Sequence, residues 1–91
     1  MKVRIKFAGP LRTAAGVART ELELAGEATT GAVLRRAAEQ FPGVALELFG
    51  AEAKTYYSIF VNDRLVPEQA RTTTPVYEGD EVLILLPVAG G

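Results

Sequence analysis

The chain has 91 residues, 48% of them hydrophobic, which suits one domain around a single modest core. Its net charge is −1 with both signs interspersed, so it offers no clustered basic footprint for nucleic acid. It contains no cysteine and no histidine, which excludes disulfides, a thiolate nucleophile, and the usual general base and metal ligand.

Residues 2–8 alternate, with Lys2, Arg4 and Lys6 on one face and Val3, Ile5 and Phe7 on the other. That is a half-buried strand. Gly9-Pro10 breaks it, and Leu11 to Gly16 reads as a loop or a short turn of helix. Thr20 to Leu24 alternates again with Leu22 and Leu24 inward, which predicts an antiparallel hairpin with the first strand. Gly26 closes that strand, and Thr29 or Thr30 supplies a helix cap. Val33, Leu34, Ala37, Ala38 and Phe41 recur at helical spacing opposite Arg35, Arg36, Glu39 and Gln40, an amphipathic helix of about three turns. Arg35-Arg36, the one adjacent basic pair, belongs to that solvated face. Pro42-Gly43 stops the helix.

Val44 to Phe49 reads as a short helix or turn ending at Gly50, and Ala51 to Thr55 as a loop. Tyr57 to Val61 is a third strand, Asn62-Asp63 a turn, and Arg64 to Val66 a brief strand pairing back before Pro67. Glu68 to Pro75 is a surface connection. Glu78-Gly79-Asp80 turns tightly into the last strand, Glu81 to Leu86. The apolar run at residues 82–86 falls far short of a membrane span. The alternating N-terminus lacks the apolar segment of a signal peptide. These features predict a cytoplasmic chain with no membrane contact.

The order is a hairpin, a crossover helix and further strands. It predicts an α+β fold, a mixed sheet packed on one main helix, with the last strand parallel to the first in the sheet centre. This is the β-grasp. The body is expected over residues 1–86 and an extended tail over residues 87–91. If Val82, Ile84 and Leu86 point at the helix, Leu83 and Leu85 point outward. The same alternation turns Ile59 and Val61 inward and Phe60 outward. Phe60, Leu83 and Leu85 are therefore candidate partner-binding residues, an apolar patch on the open face.

Pro87 has no amide hydrogen to give to a ladder, so the last strand ends there. Pro87-Val88-Ala89-Gly90-Gly91, fully extended, reaches about 16–18 Å. Gly90 and Gly91 have no side chains, so they fit a channel too narrow for any other residue. A terminal glycine carboxylate becomes reactive once it is adenylated by ATP. Attack by sulfur then gives a thiocarboxylate or thioester, and attack by an amine gives an amide. Gly91 is the candidate reactive residue, with Pro87, Val88, Ala89 and Gly90 inserting into a partner's active site.

In combination these pieces resemble the MoaD/ThiS family of ubiquitin-like sulfur carriers, and most of all its molybdopterin-synthase small subunits. The residues concerned are Phe7-Ala8 through Leu11-Arg12 to Gly16, Thr29 to Pro42, and Val61-Asn62-Asp63. The closing pieces are Glu78-Gly79-Asp80-Glu81-Val82 and Leu86 to Gly91. The resemblance implies that an ATP-dependent activating enzyme adenylates Gly91 and that a sulfurtransferase donor supplies the sulfur. It further implies that a large subunit accepts the tail for dithiolene formation in molybdenum cofactor biosynthesis. In the family's heterotetramer two large subunits form the centre, with one small subunit at each end. No bound cofactor or metal is implied; ATP is used by the activating partner. Ala89 stands where the family often has serine, Gly9-Pro10 replaces residues that are commonly more polar, and Arg71 to Val76 is less typical.

Three other readings stand beside this one. The chain is a related carrier for tRNA thiolation or thiamine synthesis, or a modifier joined to lysines through Gly91. Alternatively, it is an interaction domain whose Gly-Gly end is incidental. An enzyme reading would rest on Tyr77, Asp80 or Glu81, although Gly79-Asp80 is also ordinary turn chemistry.

Overall fold

The computed structural model describes residues 1–50 and 57–86. The expected loop at Ala51 to Thr55 and the tail at residues 87–91 lie outside the described residues. The alternation of the first strand is borne out in β1 (Lys2–Ala8), where Val3, Ile5 and Phe7 are buried and Lys2 and Arg4 are exposed. After Gly9 the chain enters α1 (Pro10–Ala15), so the segment left open as loop or helical turn is a helix. Pro10 stops the strand and also starts the helix, because the first helical residue needs no amide donor. Leu11 enters the core.

The second strand, β2 (Arg19–Glu23), pairs antiparallel with β1, bringing Leu22 opposite Val3. A two-residue strand, β3 (Ala28–Thr29), leads into α2 (Thr30–Gln40). The cap is Thr29, whose hydroxyl oxygen accepts from the Ala32 amide at 3.3 Å. Thr30 is fully buried, and its hydroxyl donates to the Thr74 carbonyl at 3.1 Å.

Helix α2 buries Val33, Leu34 and Ala37 against the sheet and ends at Phe41, whose ring meets Phe7 edge-on at 5.6 Å. The following helix, α3 (Pro42–Phe49), begins at Pro42 itself rather than at Val44. Pro42 ends one helix and opens the next for the same reason that Pro10 opens α1. Gly43 lies against α1: a Cβ there would stand 2.1 Å from the Ala14 carbonyl oxygen.

Strand β4 (Ser58–Val61) starts one residue after Tyr57. Asn62 and Asp63 both have positive φ, 50° and 68°, and make the two-residue turn to β5 (Arg64–Val66). Such turns match the strand twist and demand left-handed residues, which Asn and Asp tolerate best after glycine. Glu68 to Pro75 is more ordered than a plain surface connection. It holds a 3₁₀ turn at Glu68–Ala70 and leads into β6 (Pro75–Val76), which pairs with β3 as a separate two-stranded sheet.

The final strand, β7 (Glu81–Leu85), lies parallel to β1 and antiparallel to β4 in the order β2-β1-β7-β4-β5. The crossover through α2 thus delivers the last strand to the sheet centre, and the architecture is a β-grasp. Val82, Ile84 and Leu86 join Val3, Ile5, Phe7, Leu22, Val33 and Ile59 in one core. Each large apolar side chain buried there contributes about 1.5–3 kcal/mol.

Candidate functional site

Strands β1 and β7 run in the same direction and finish side by side, Ala8 against Leu85. Leu86 continues the pairing, its amide donating to the Ala8 carbonyl at 3.4 Å, and its side chain is 2% exposed. The segment holding Pro87, Val88, Ala89, Gly90 and Gly91 therefore leaves from a residue anchored in the core. The tail's root is thus tied to β1 and the core.

The outer face of the sheet is divided along its length. Around the start of β7, charges alternate across strands: Arg4 stands between Glu21 and Glu81, and Lys2 faces Glu23. Toward the tail end the β7–β4–β5 side of the face turns apolar, while Lys6 and Arg19 keep the β1–β2 side charged. Leu83 lies between Lys6 on β1 and Phe60 on β4, Phe60 faces Leu65 on β5, and Leu85 lies between Ala8 and Ser58.

Phe60, Leu83 and Leu85 point outward, the face that their alternation predicts, but all three are half-buried rather than open. Directly opposed residues on neighbouring strands stand about 4.5–5.5 Å apart at Cβ, so large side chains there cover one another. Leu65, 59% exposed, completes the row and is the residue that sequence reading missed. The available signal was its alternation with buried Val66, but a three-residue strand carries too little of it. Val61 is only partly buried and packs on the core edge.

Tyr77, Asp80 and Glu81 belong to the opposite end of β7. Asp80 is committed to holding its own turn: one carboxylate oxygen accepts from the Tyr77 amide at 2.8 Å, the other from the Asn62 side-chain amide at 3.0 Å. The Glu81 amide donates to the Asn62 side-chain oxygen at 3.0 Å. The Asp80 carboxylate and the Asn62 side chain thus hold the two turns together, while Tyr77 and Asp80 both line an open recess beside β5. Among the described residues there is no cluster of metal-ligating side chains, and no helix is long and apolar enough to cross a membrane.

The ThiS family model matches residues 5–91. The chain belongs to this family of ubiquitin-like sulfur carriers and modifiers. Small archaeal modifier protein 3 of Haloferax volcanii is 29% identical over 92 residues, covering all of both chains. A Pyrococcus furiosus protein provisionally named molybdopterin converting factor subunit 1 is 27% identical. Its structure superposes with a TM-score of 0.77, covering 97% of this chain and 99% of that one. A chain of the Amycolatopsis orientalis BexX/CysO complex is 26% identical with a TM-score of 0.75, covering 98% of this chain and 99% of that one.

Proposed function

We propose that this chain is a sulfur carrier, the small subunit of a molybdopterin synthase, bearing sulfur as a thiocarboxylate on Gly91. The observation that carries the proposal is that the ThiS match takes in Gly90 and Gly91, downstream of a central strand whose next residue, Leu86, is buried in the core. In the first step the Gly91 carboxylate attacks the α-phosphate of ATP on an activating enzyme, and pyrophosphate leaves. A persulfide on the sulfurtransferase donor then displaces AMP to give an acyl disulfide, and a second partner thiol cleaves its S–S bond, releasing the Gly91 thiocarboxylate and leaving a disulfide on the partner. The chain itself supplies a reactive end and a surface to hold; partners supply the catalytic groups and the ATP.

On this reading a large subunit docks on Phe60, Leu83 and Leu85 and draws Pro87, Val88, Ala89, Gly90 and Gly91 into its active site. Similarity to a chain of a two-protein complex supports a protein partner for this chain. Incubating the charged chain with a molybdopterin-synthase large subunit and precursor pterin tests the acceptor. Dithiolene formation with return of the Gly91 carboxylate is the expected result.

Similarity along the whole chain to a protein named as a modifier favours a second reading, conjugation of Gly91 to lysines. In that case the adenylate is attacked by an amine and an amide forms. Lysine conjugates in the same incubation, with no dithiolene, would select this reading. A carrier for tRNA thiolation or thiamine synthesis would be charged yet give neither product.

A further inference from the structure

We propose that Gly9 is the positioning residue that aims the reactive tail, a role that rests on the reading of Gly91 as the reactive end. Gly9 has φ 69° and ψ −147°, a region open to glycine and strained for other L-residues. It also lies directly against the tail's root. A Cβ at position 9 would stand 2.1 Å from the Leu86 carbonyl oxygen and 3.3 Å from its carbonyl carbon. No contact that close is tolerated, so any L side chain at position 9 must displace the Leu86 carbonyl or Gly9 itself.

The carbonyl at Leu86 is the one bonded to the nitrogen of Pro87. A peptide unit is planar, so the direction of that carbonyl sets the direction of the bond that starts the tail. The next rotation is narrowed further because a residue before proline has few conformations and proline fixes its own φ. The Leu86 side chain is held in the core at 2% exposure, so its carbonyl cannot shift by moving the whole residue outward. Position 9 thus meets Leu86, the last described residue before the tail.

Gly9 is otherwise lightly used. Its carbonyl accepts from Arg12 at 3.2 Å as α1 begins, and the residue is exposed. A methyl group in place of the second α-hydrogen is expected to avoid the Leu86 carbonyl, since it projects from the other side of the Cα.

That asymmetry provides the test. Three chains are compared: Gly9, Gly9→Ala, and Gly9→D-Ala made by chemical synthesis. The D-residue favours positive φ and directs its methyl away from the side that meets the Leu86 carbonyl. Because the protein has no cysteine, Ala89→Cys in each chain takes a single spin label. Attenuation of the backbone amides of β1, β4 and β7 then reports where the tail lies, with no partner present.

The expected result is one attenuation pattern for Gly9 and Gly9→D-Ala and a different pattern for Gly9→Ala, with the amide shifts of β2 and α2 unchanged in all three. In chains without the label, charging of Gly91 in host extract should fall for Gly9→Ala and recover in Gly9→D-Ala. A misplacement of about 1 Å costs on the order of 10²-fold, so a loss of that order is expected. An unchanged pattern in Gly9→Ala would overturn the proposal. Loss of the fold in Gly9→Ala would also overturn it, since Gly9 would then serve the body rather than the tail. The labelling result does not depend on charging. If the Gly9 chain itself is never charged, the carrier reading fails while the aiming role is still decided.

Discussion

The side-chain amide of Asn62 donates to the Asp80 carboxylate at 3.0 Å, binding the β4–β5 turn to the turn that launches β7. Its oxygen accepts from the Glu81 amide at 3.0 Å, so one side chain serves both turns. Asn62→Ala removes both bonds and leaves a residue with φ 50° that alanine adopts poorly. The expected loss is about 1–3 kcal/mol, read from denaturant unfolding. Asp80→Asn keeps the shape and is expected to cost less. The charging of Gly91 should be unaltered in both while they are folded, because this end of β7 is the far one from the tail.

A second prediction concerns the seam between α1 and α3. Gly43→Ala would place a methyl group 2.1 Å from the Ala14 carbonyl oxygen, and backbone on both sides leaves no flexible atom to yield. The two helices must part, at a cost of about 1–3 kcal/mol typical of overpacking. Thermal unfolding measures the loss. The amide shifts of residues 11–15 should move most and those of Lys2–Ala8 least.

Two adjacent threonines separate a cap from a buried hydrogen bond. Thr29→Ala removes the acceptor for the Ala32 amide and is expected to cost about 1 kcal/mol, with Thr29→Ser restoring most of it. Thr30→Val keeps the shape of a fully buried side chain and removes its bond to the Thr74 carbonyl, which still accepts from the Thr30 amide at 2.9 Å. About 1 kcal/mol is expected there too. Unfolding of the two single variants and the double variant checks whether the effects add.

The outer face yields a prediction about binding rather than stability. Leu65 is 59% exposed at the end of the row that begins at Leu83. Leu65→Ser should change stability by less than about 0.5 kcal/mol, as is usual for surface sites. It should nevertheless weaken binding to a molybdopterin-synthase large subunit in titration calorimetry. Phe60→Ala and Leu83→Ala should weaken it further, since half-buried apolar residues near a patch centre carry more of the energy than its rim. Equal affinity in all three would remove the row from the docking surface.

What the sequence made legible follows from the kind of signal each element carries. β1, β2, α2 and β7 each repeat a face several times, so Val3, Leu22, Val33 and Ile84 could be assigned to the core from periodicity alone. From the order of these elements the central place of β7 followed as well. Pro10 and Pro42 are stops and starts at once, because the chemistry that ends one element suits the first turn of a helix, and the sequence pattern signals only the stop.

The pairing of Ala28–Thr29 with Pro75–Val76 left no trace, being two residues long and joined only in the folded chain. Outward direction was legible for Phe60, Leu83 and Leu85, but the degree of burial was not. That depends on cross-strand neighbours, which no single strand reveals. The close approach of Gly9 to Leu86 was invisible for the same reason.

Intact-protein mass spectrometry decides whether Gly91 is the reactive end. The chain is incubated with its host's soluble extract, ATP and a sulfur source, beside a copy lacking Gly90-Gly91. The expected result is replacement of one oxygen by sulfur, localised to Gly91, dependent on ATP and absent from the shortened copy. No mass change at Gly91, in an extract that charges another sulfur carrier of the family under the same conditions, would contradict it.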